Sequence, residues 1–149
     1  MGDVKIIPLE VAHYAQWLEL YKGYADHYKV ELTKAGVART WDWLHSDQSP
    51  VTGIVVVLDG RLVGLAHYRA MPSPLRGIEI GFLDDMFVGH AARGAKVGEK
   101  LLGRLAEICT QNSWPMMRWI TRDNNYRARS LYDRVAVKAD WNTYEMLAK

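Results

Sequence analysis

Apolar and polar positions alternate with two different periods along this chain, and the changes of period mark the elements. Val4 to Ile7 is a short β-prone run closed by Pro8. From Leu9 to Tyr28 the spacing turns helical, with Val11, Tyr14, Leu18, Tyr21 and Ala25 on one face, which predicts a helix, or two broken near Gly23. Thr33 reads as the N-cap of a second helix reaching about His45. The period then becomes β-like: Gly53 to Leu58 and Leu62 to Met71 flank Asp59-Gly60-Arg61, a strong hairpin signal, and Ile78, Ile80 and Phe82 alternate into a third long strand ending at Val88. Val97, Leu101, Leu105, Ile108 and Cys109 form the stripe of a following amphipathic helix. Met116 to Thr121 is a short strand candidate, and strand, helix and strand in this order predict a right-handed parallel unit. A last helix, capped by Asp123 or Asn124, carries Ala128, Leu131, Tyr132 and Val135 on one face. Val137 to Lys138 and Trp141 to Leu147 read as terminal strands. The expected fold class is α+β, with one mixed, mostly antiparallel sheet flanked by helices.

Composition narrows the picture only modestly. A chain of 149 residues with 49% apolar and 24% charged positions fits a single domain, residues 1–149, with a continuous core. The net charge of +2 gives no general field for nucleic acid or membrane, so any basic site must be local. Arg118, Arg122, Arg127, Arg129 and Arg134 lie near Trp119, Tyr126 and Tyr132, a pattern that also suits a nucleic-acid binder, but the balancing acids make a solvated helix face the better reading. The lone Cys109 excludes a disulfide framework and falls in a core pattern. The five histidines show no metal spacing, so no metal is expected. Without an export signal or a long apolar run, the expected location is the cytoplasm. The aromatic surplus of Tyr14, Trp17, Tyr21, Tyr24 and Tyr28 suits a pocket wall or a homodimer contact, as well as plain core.

Asp84 to Leu102 is the segment on which chemistry concentrates. It reads as a strand end, a small and basic turn from Gly89 to Lys96, and a helix beginning near Val97. Such a turn aims unpaired backbone N–H groups, with the positive end of the helix dipole behind them, at one point. That is an anion site suited to phosphate, although a Gly-x-x-x-Gly alone also occurs in ordinary strand-to-helix connections.

The order of elements resembles the GNAT superfamily of N-acetyltransferases, and two local patterns carry the resemblance. Arg93-Gly94-Ala95-Lys96-Val97-Gly98 is similar to the family's acyl-CoA signature at Arg93 and Gly98, and Asn125-x-x-Ala128-x-x-Leu131-Tyr132 is similar to the pattern on its last helix, 32 positions after Arg93. Phe82 to Val88 and Trp119 look most like the diamine and polyamine branch. Two departures stand out: Lys96 replaces the usual glycine, and Val135-Ala136 replaces the Gly-Phe or Gly-Ala that commonly follows the tyrosine helix.

The resemblance implies acetyl-CoA as co-substrate and a small-molecule primary amine, polyamine-like or amino-acid-derived, as acceptor. It implies that Met86, Phe87 and Val88 meet the pantetheine arm by their main chain, that Arg93, Gly94, Ala95, Lys96, Val97 and Gly98 hold the pyrophosphate, and that Asn125 bonds the arm. Tyr132 would protonate the departing sulfur; a phenol of pKa about 10 suits that task. Asp84 and Asp85, adjacent on a strand, should point to opposite faces. Asp84 is the candidate base, as the diamine branch implies, with Glu79 and His67 in reserve. If position 96 requires positive φ, a lysine there costs about 1 kcal/mol. The competing expectation is a non-catalytic acyl-CoA-binding or interaction module with a degenerate site.

Overall fold

In the computed structural model, which describes residues 3–92 and 96–149, one five-stranded sheet runs in the order β1-β2-β3-β4-β5. The strands are β1 (Val4–Pro8), β2 (Val51–Leu58), β3 (Arg61–Ser73), β4 (Ile78–Val88) and β5 (Met117–Arg118). Every neighbouring pair is antiparallel except β4 and β5, which are parallel. The β2–β3 hairpin turns at Asp59 and Gly60, both at positive φ, as Asp-Gly permits.

Four helices cover the two faces of the sheet: α1 (Tyr14–His27), α2 (Lys34–Leu44), α3 (Val97–Gln111) and α4 (Tyr126–Val135). The stripe predicted for α3 is buried throughout, and with Val56, Ala66 and Leu83 of the sheet and Leu131 of α4 it forms one core layer. Trp17 of α1, Leu44 of α2 and Val55 and Leu65 of the sheet form the other. Cys109 of α3 is buried, which pushes its thiol pKa up. No described helix is long and apolar enough to cross a membrane.

Gly23 does not break α1. A Cβ at that position would lie 3.1 Å from the Phe87 ring, so the glycine is a notch that lets helix and strand approach. Thr33 caps α2, its hydroxyl accepting from the Gly36 N–H at 3.0 Å. The N-cap of α4 is Asn125, one or two residues after the expected Asp123 or Asn124.

The last part of the chain departs from expectation. β5 has two residues instead of the six from Met116 to Thr121, and it pairs with β4 only at Gly81 and Phe82. Val137–Lys138 and Trp141–Leu147 form no strand: residues 137–149 are exposed and lie outside the sheet. Their β-prone side chains meet no paired backbone, and strand propensity without a ladder does not make a strand.

Candidate functional site

The pairing of β4 with β5 ends at Phe82 and Arg118, and the site lies along the free end of β4, between it, the start of α3 and α4. A cleft of about 390 Å³ opens there, a size suited to a small ligand or cofactor arm. Met86, Phe87 and Val88 supply its β4 wall, Lys96, Val97 and Gly98 the start of α3, and Asn125, Leu131 and Tyr132 the α4 wall. His27 and Tyr28, from the end of α1, close one side. Segments far apart in sequence thus converge on one cavity, and they include most of the predicted positions. Arg93, Gly94 and Ala95 lie outside the described residues.

Gly98 is a packing requirement. A Cβ there would stand 3.0 Å from Leu131 Cδ2 of α4, so that side chain would have to give way. Lys96 is the N-cap of α3 in the left-handed conformation, φ 57 and ψ 30, without a side-chain capping bond. The strain foreseen for a lysine at that position is therefore present, at about 1–2 kcal/mol. Glu99, Arg127 and Arg134 add charge to the rim, with Arg134 paired to Glu99 at 3.5 Å.

Asn125 is held before any ligand arrives. Its amide donates to the Tyr28 hydroxyl at 3.3 Å and to Thr121 Oγ1 at 3.2 Å, tying α4 to α1 and to the segment after β5. Tyr132 is half-buried and packs edge-on against Trp119, ring centroids 5.2 Å apart. Burial first, and then the nearby Tyr28, push its pKa up to about 12, so its hydroxyl keeps its proton.

The two aspartates do not occupy opposite faces. Leu83 opposes Tyr68 and Asp85 opposes His67, so Asp84 is the extra residue of a β-bulge. Asp85 bonds His67, and Asp84 accepts from Arg69 Nε at 2.9 Å. His67 and Arg69, two apart on β3, share the face covered by α1, so the bulge turns both carboxylates toward that face. Strict alternation, on which the sequence reading relied, fails at this one residue. Asp84 is the more exposed of the two and is paired with Arg69, whose guanidinium carbon lies 4.8 Å from the Phe82 ring centroid. Glu79 is exposed near the other end of β4.

Asp85 is the more enclosed carboxylate. Oδ2 lies 2.7 Å from Nδ1 of His67 and accepts from the Tyr21 hydroxyl at 3.2 Å, with the Tyr24 phenol near enough to feel its charge. Burial works to raise its pKa, but hydrogen bonding, from His67 above all, prevails and holds it below the usual carboxylate value. The same burial, with the carboxylate charge beside them, drives the Tyr21 and Tyr24 phenols well above theirs. Trp17, Tyr21, Tyr24 and Tyr28 recur at intervals of three and four on α1 and form a ladder of rings 5.0, 5.9 and 5.0 Å apart, which runs from His67 to the cleft. Asp85 is the part of the site that sequence reasoning missed, whereas the rings beside it had been singled out by their surplus on one helix as a pocket wall.

A model of the acetyltransferase (GNAT) family matches residues 17–136, from within α1 to the end of α4. The chain belongs to that family. It is also 31% identical to the D-amino-acid N-acetyltransferase HPA3 of Saccharomyces cerevisiae over 86 residues, 58% of this chain and 53% of the relative, so the match spans about half the yeast protein's length. Among solved structures, a ribosomal-protein-alanine N-acetyltransferase from Brucella melitensis biovar Abortus 2308 superposes with TM-score 0.82 at 24% identity, covering 98% of this chain and 99% of that one. The aminoglycoside N-acetyltransferase AAC(6')-Iy, solved with CoA, superposes with TM-score 0.82 at 16% identity, covering 99% and 96%. At these identities the two structures show the fold, and in this GNAT chain the free end of β4, the start of α3 and Tyr132 are built from its own residues.

Proposed function

We propose that the protein moves an acetyl group from acetyl-CoA to the primary amine of a small molecule, by direct attack of the amine. One observation carries this reading: strand wall, helix start, Asn125 and Tyr132 converge on a single cleft with an ionised carboxylate and a ring ladder alongside.

The residues fit the co-substrate. The cleft admits an arm between β4 and α4, and the glycine at position 98 leaves the room that a side chain would take. Met86 to Val88 would orient the arm by main-chain groups, and the first turn of α3 with Lys96 would hold the pyrophosphate, together with Arg93, Gly94 and Ala95 by resemblance. When bound, acetyl-CoA supplies the activated acyl thioester. Tyr132 Oη, kept protonated by burial, gives its proton to the sulfur as the amine displaces it.

Asp85 takes precedence over Asp84 as the acid that meets the amine. A carboxylate held below about 3.9 is a poor direct base for an alkylammonium near about 10.4; the transfer is uphill by roughly 9 kcal/mol. Asp85 therefore attracts and orients the ammonium, and the proton leaves through water. The acceptors that fit are cationic amines, whether polyamine-like, as the Phe82–Val88 segment suggests, or amino-acid-derived, as the name of the yeast relative suggests. A reducing cytoplasm suits a chain with one buried thiol.

A thermal-shift titration followed by thiol release against a panel of polyamines and L- and D-amino acids tests the proposal. Acetyl-CoA at about 100 times its dissociation constant should stabilise the fold by about 2.7 kcal/mol. No shift at millimolar acetyl-CoA overturns the whole reading; a shift without thiol release to any amine leaves a binding module and overturns the catalytic part.

A further inference from the structure

Arg69 is a cation that the acetyl-transfer chemistry leaves unused, on the sheet face that carries Asp85. It stands two residues after His67 on β3 and opposite Phe82 on β4. Its Nε donates to Asp84 Oδ2 at 2.9 Å, and its guanidinium carbon sits over the Phe82 ring, 4.8 Å from the centroid. The bond and the stacked ring together hold the group in place.

A guanidinium offers five N–H donors, and a carboxylate takes two of them side by side. Asp84 engages Nε, and among the described residues no hydrogen bond engages Nη1 or Nη2. The end-on fork of Arg69 is therefore free, and the side chain is 33% exposed to solvent. That fork is shaped for a second carboxylate.

Its place relative to Asp85 says which carboxylate. Moving back along β4 from the cleft, the order is Met86 in the cleft wall, Asp85, and then Phe82 with its partner Arg69. An ammonium on Asp85 is thus nearer the cleft, and the fork lies behind it. His67, which holds Asp85, and Arg69 are same-face neighbours about 7 Å apart along β3. In an α-amino acid the ammonium nitrogen and the carboxylate carbon are about 2.5 Å apart, and a hydrogen bond of about 2.9 Å at each end extends the span to about 8 Å. The two lengths agree. A simple alkylamine leaves the fork unfilled, and a diamine brings a second cation toward a fixed one.

We infer that Arg69 determines acceptor specificity: its Nη1 and Nη2 receive the carboxylate of an α-amino acid whose α-ammonium is held by Asp85. This assignment rests on the acetyl-transfer reading and narrows it from cationic amines in general to zwitterions acetylated at the nitrogen beside their carboxylate. The transfer balances as follows. Nitrogen bonds the acyl carbon, the C–S bond breaks, and Tyr132 gives its proton to sulfur. Water takes the two protons that the ammonium sheds and returns one of them to Tyr132.

The test measures thiol release from acetyl-CoA within pairs of acceptors that differ only by the carboxylate: alanine with ethylamine, phenylalanine with phenethylamine, and lysine with cadaverine, each amino acid as both enantiomers. The better enantiomer of each amino acid should exceed its amine in kcat/KM by at least about tenfold, the weight of a charged hydrogen bond. Mass spectrometry of the lysine product should place the acetyl group on the α-nitrogen. In Arg69→Gln the ratio of amino acid to amine should fall to within about threefold of one, and Arg69→Lys, which keeps the charge without the fork, should restore only part of it. Amines turned over as well as their amino acids, acetylation of lysine on the ε-nitrogen alone, or a ratio that survives Arg69→Gln each overturns the role of Arg69 and leaves acetyl transfer standing. The wild-type ratio decides by itself if the glutamine variant fails to fold. Absence of thiol release with every acceptor overturns acetyl transfer, and this assignment with it.

Discussion

Nδ1 of His67 lies 2.7 Å from Oδ2 of Asp85, while Nε2 of the same ring accepts from the Trp17 indole at 3.0 Å. An indole N–H only donates, so Nε2 must be bare and the ring proton must sit on Nδ1, directed at Asp85. His67 is therefore a fixed donor that aims a carboxylate. Its own basicity is engaged by Trp17, which is fully buried. Asp85→Asn should raise the KM for the amine and lower kcat/KM by about tenfold to a hundredfold, in line with the roughly 1.5–3 kcal/mol of a charged hydrogen bond. Acetyl-CoA affinity should change little. Asp84→Asn, at an exposed pair with Arg69, should cost less than about threefold, because such pairs are worth under about 1 kcal/mol. Steady-state kinetics on both variants checks this, and equal losses would return Asp84 to the site.

Tyr132→Phe should reduce turnover by about a hundredfold or more, the usual weight of a general acid, with acetyl-CoA binding nearly intact by calorimetry. Because the folded pKa is raised to about 12, the phenol stays protonated through the alkaline range in which a free tyrosine ionises. The wild-type rate should show no loss ascribable to this group below about pH 11. A falling limb near pH 10 that disappears in Tyr132→Phe would contradict the raised value.

Lys96→Gly separates strain from charge. Glycine accepts φ 57 without penalty, so the unliganded protein should gain about 1 kcal/mol, a rise of a few degrees in Tm. On the proposed placement of the pyrophosphate, loss of the Lys96 ammonium should weaken acetyl-CoA binding about threefold to tenfold and flatten its salt dependence. Thermal scanning and binding at two ionic strengths measure the two effects.

Acid stability gives an independent reading of Asp85. Its folded pKa lies below its unfolded one, so its contribution to stability is complete above the unfolded value of about 3.9 and is lost as pH falls through the lower folded value. Asp85→Asn should lower stability at neutral pH and decline less steeply than wild type below about pH 4. Urea unfolding across that range shows it, and parallel curves would deny the depressed pKa.

Hydrophobic period alone located all four helices and the three long strands within a few residues, because each buries a face set by its own spacing: Val97 to Cys109 could pack in no other way. The turn at Asp59-Gly60 and the cap at Thr33 were equally visible, since their signals lie within four residues. Met86, Gly98, Asn125 and Tyr132 could be named in advance, but their convergence needed the pairing of β4 with β5 to end at Phe82 and Arg118, a relation between segments rather than a property of either. The bulge at Asp84 was hidden for the same reason. Alternation assigns faces to a strand read in isolation, whereas an extra residue is defined only against its partner, here His67 and Tyr68 of β3. The carboxylate enclosed by His67, Tyr21 and Tyr24 was thus decided by pairing across the sheet. The final strands failed from the opposite cause: residues 137–149 have strand chemistry, but backbone groups need a ladder to bond to, and beyond the extended Ala136 they pair with no strand among the described residues.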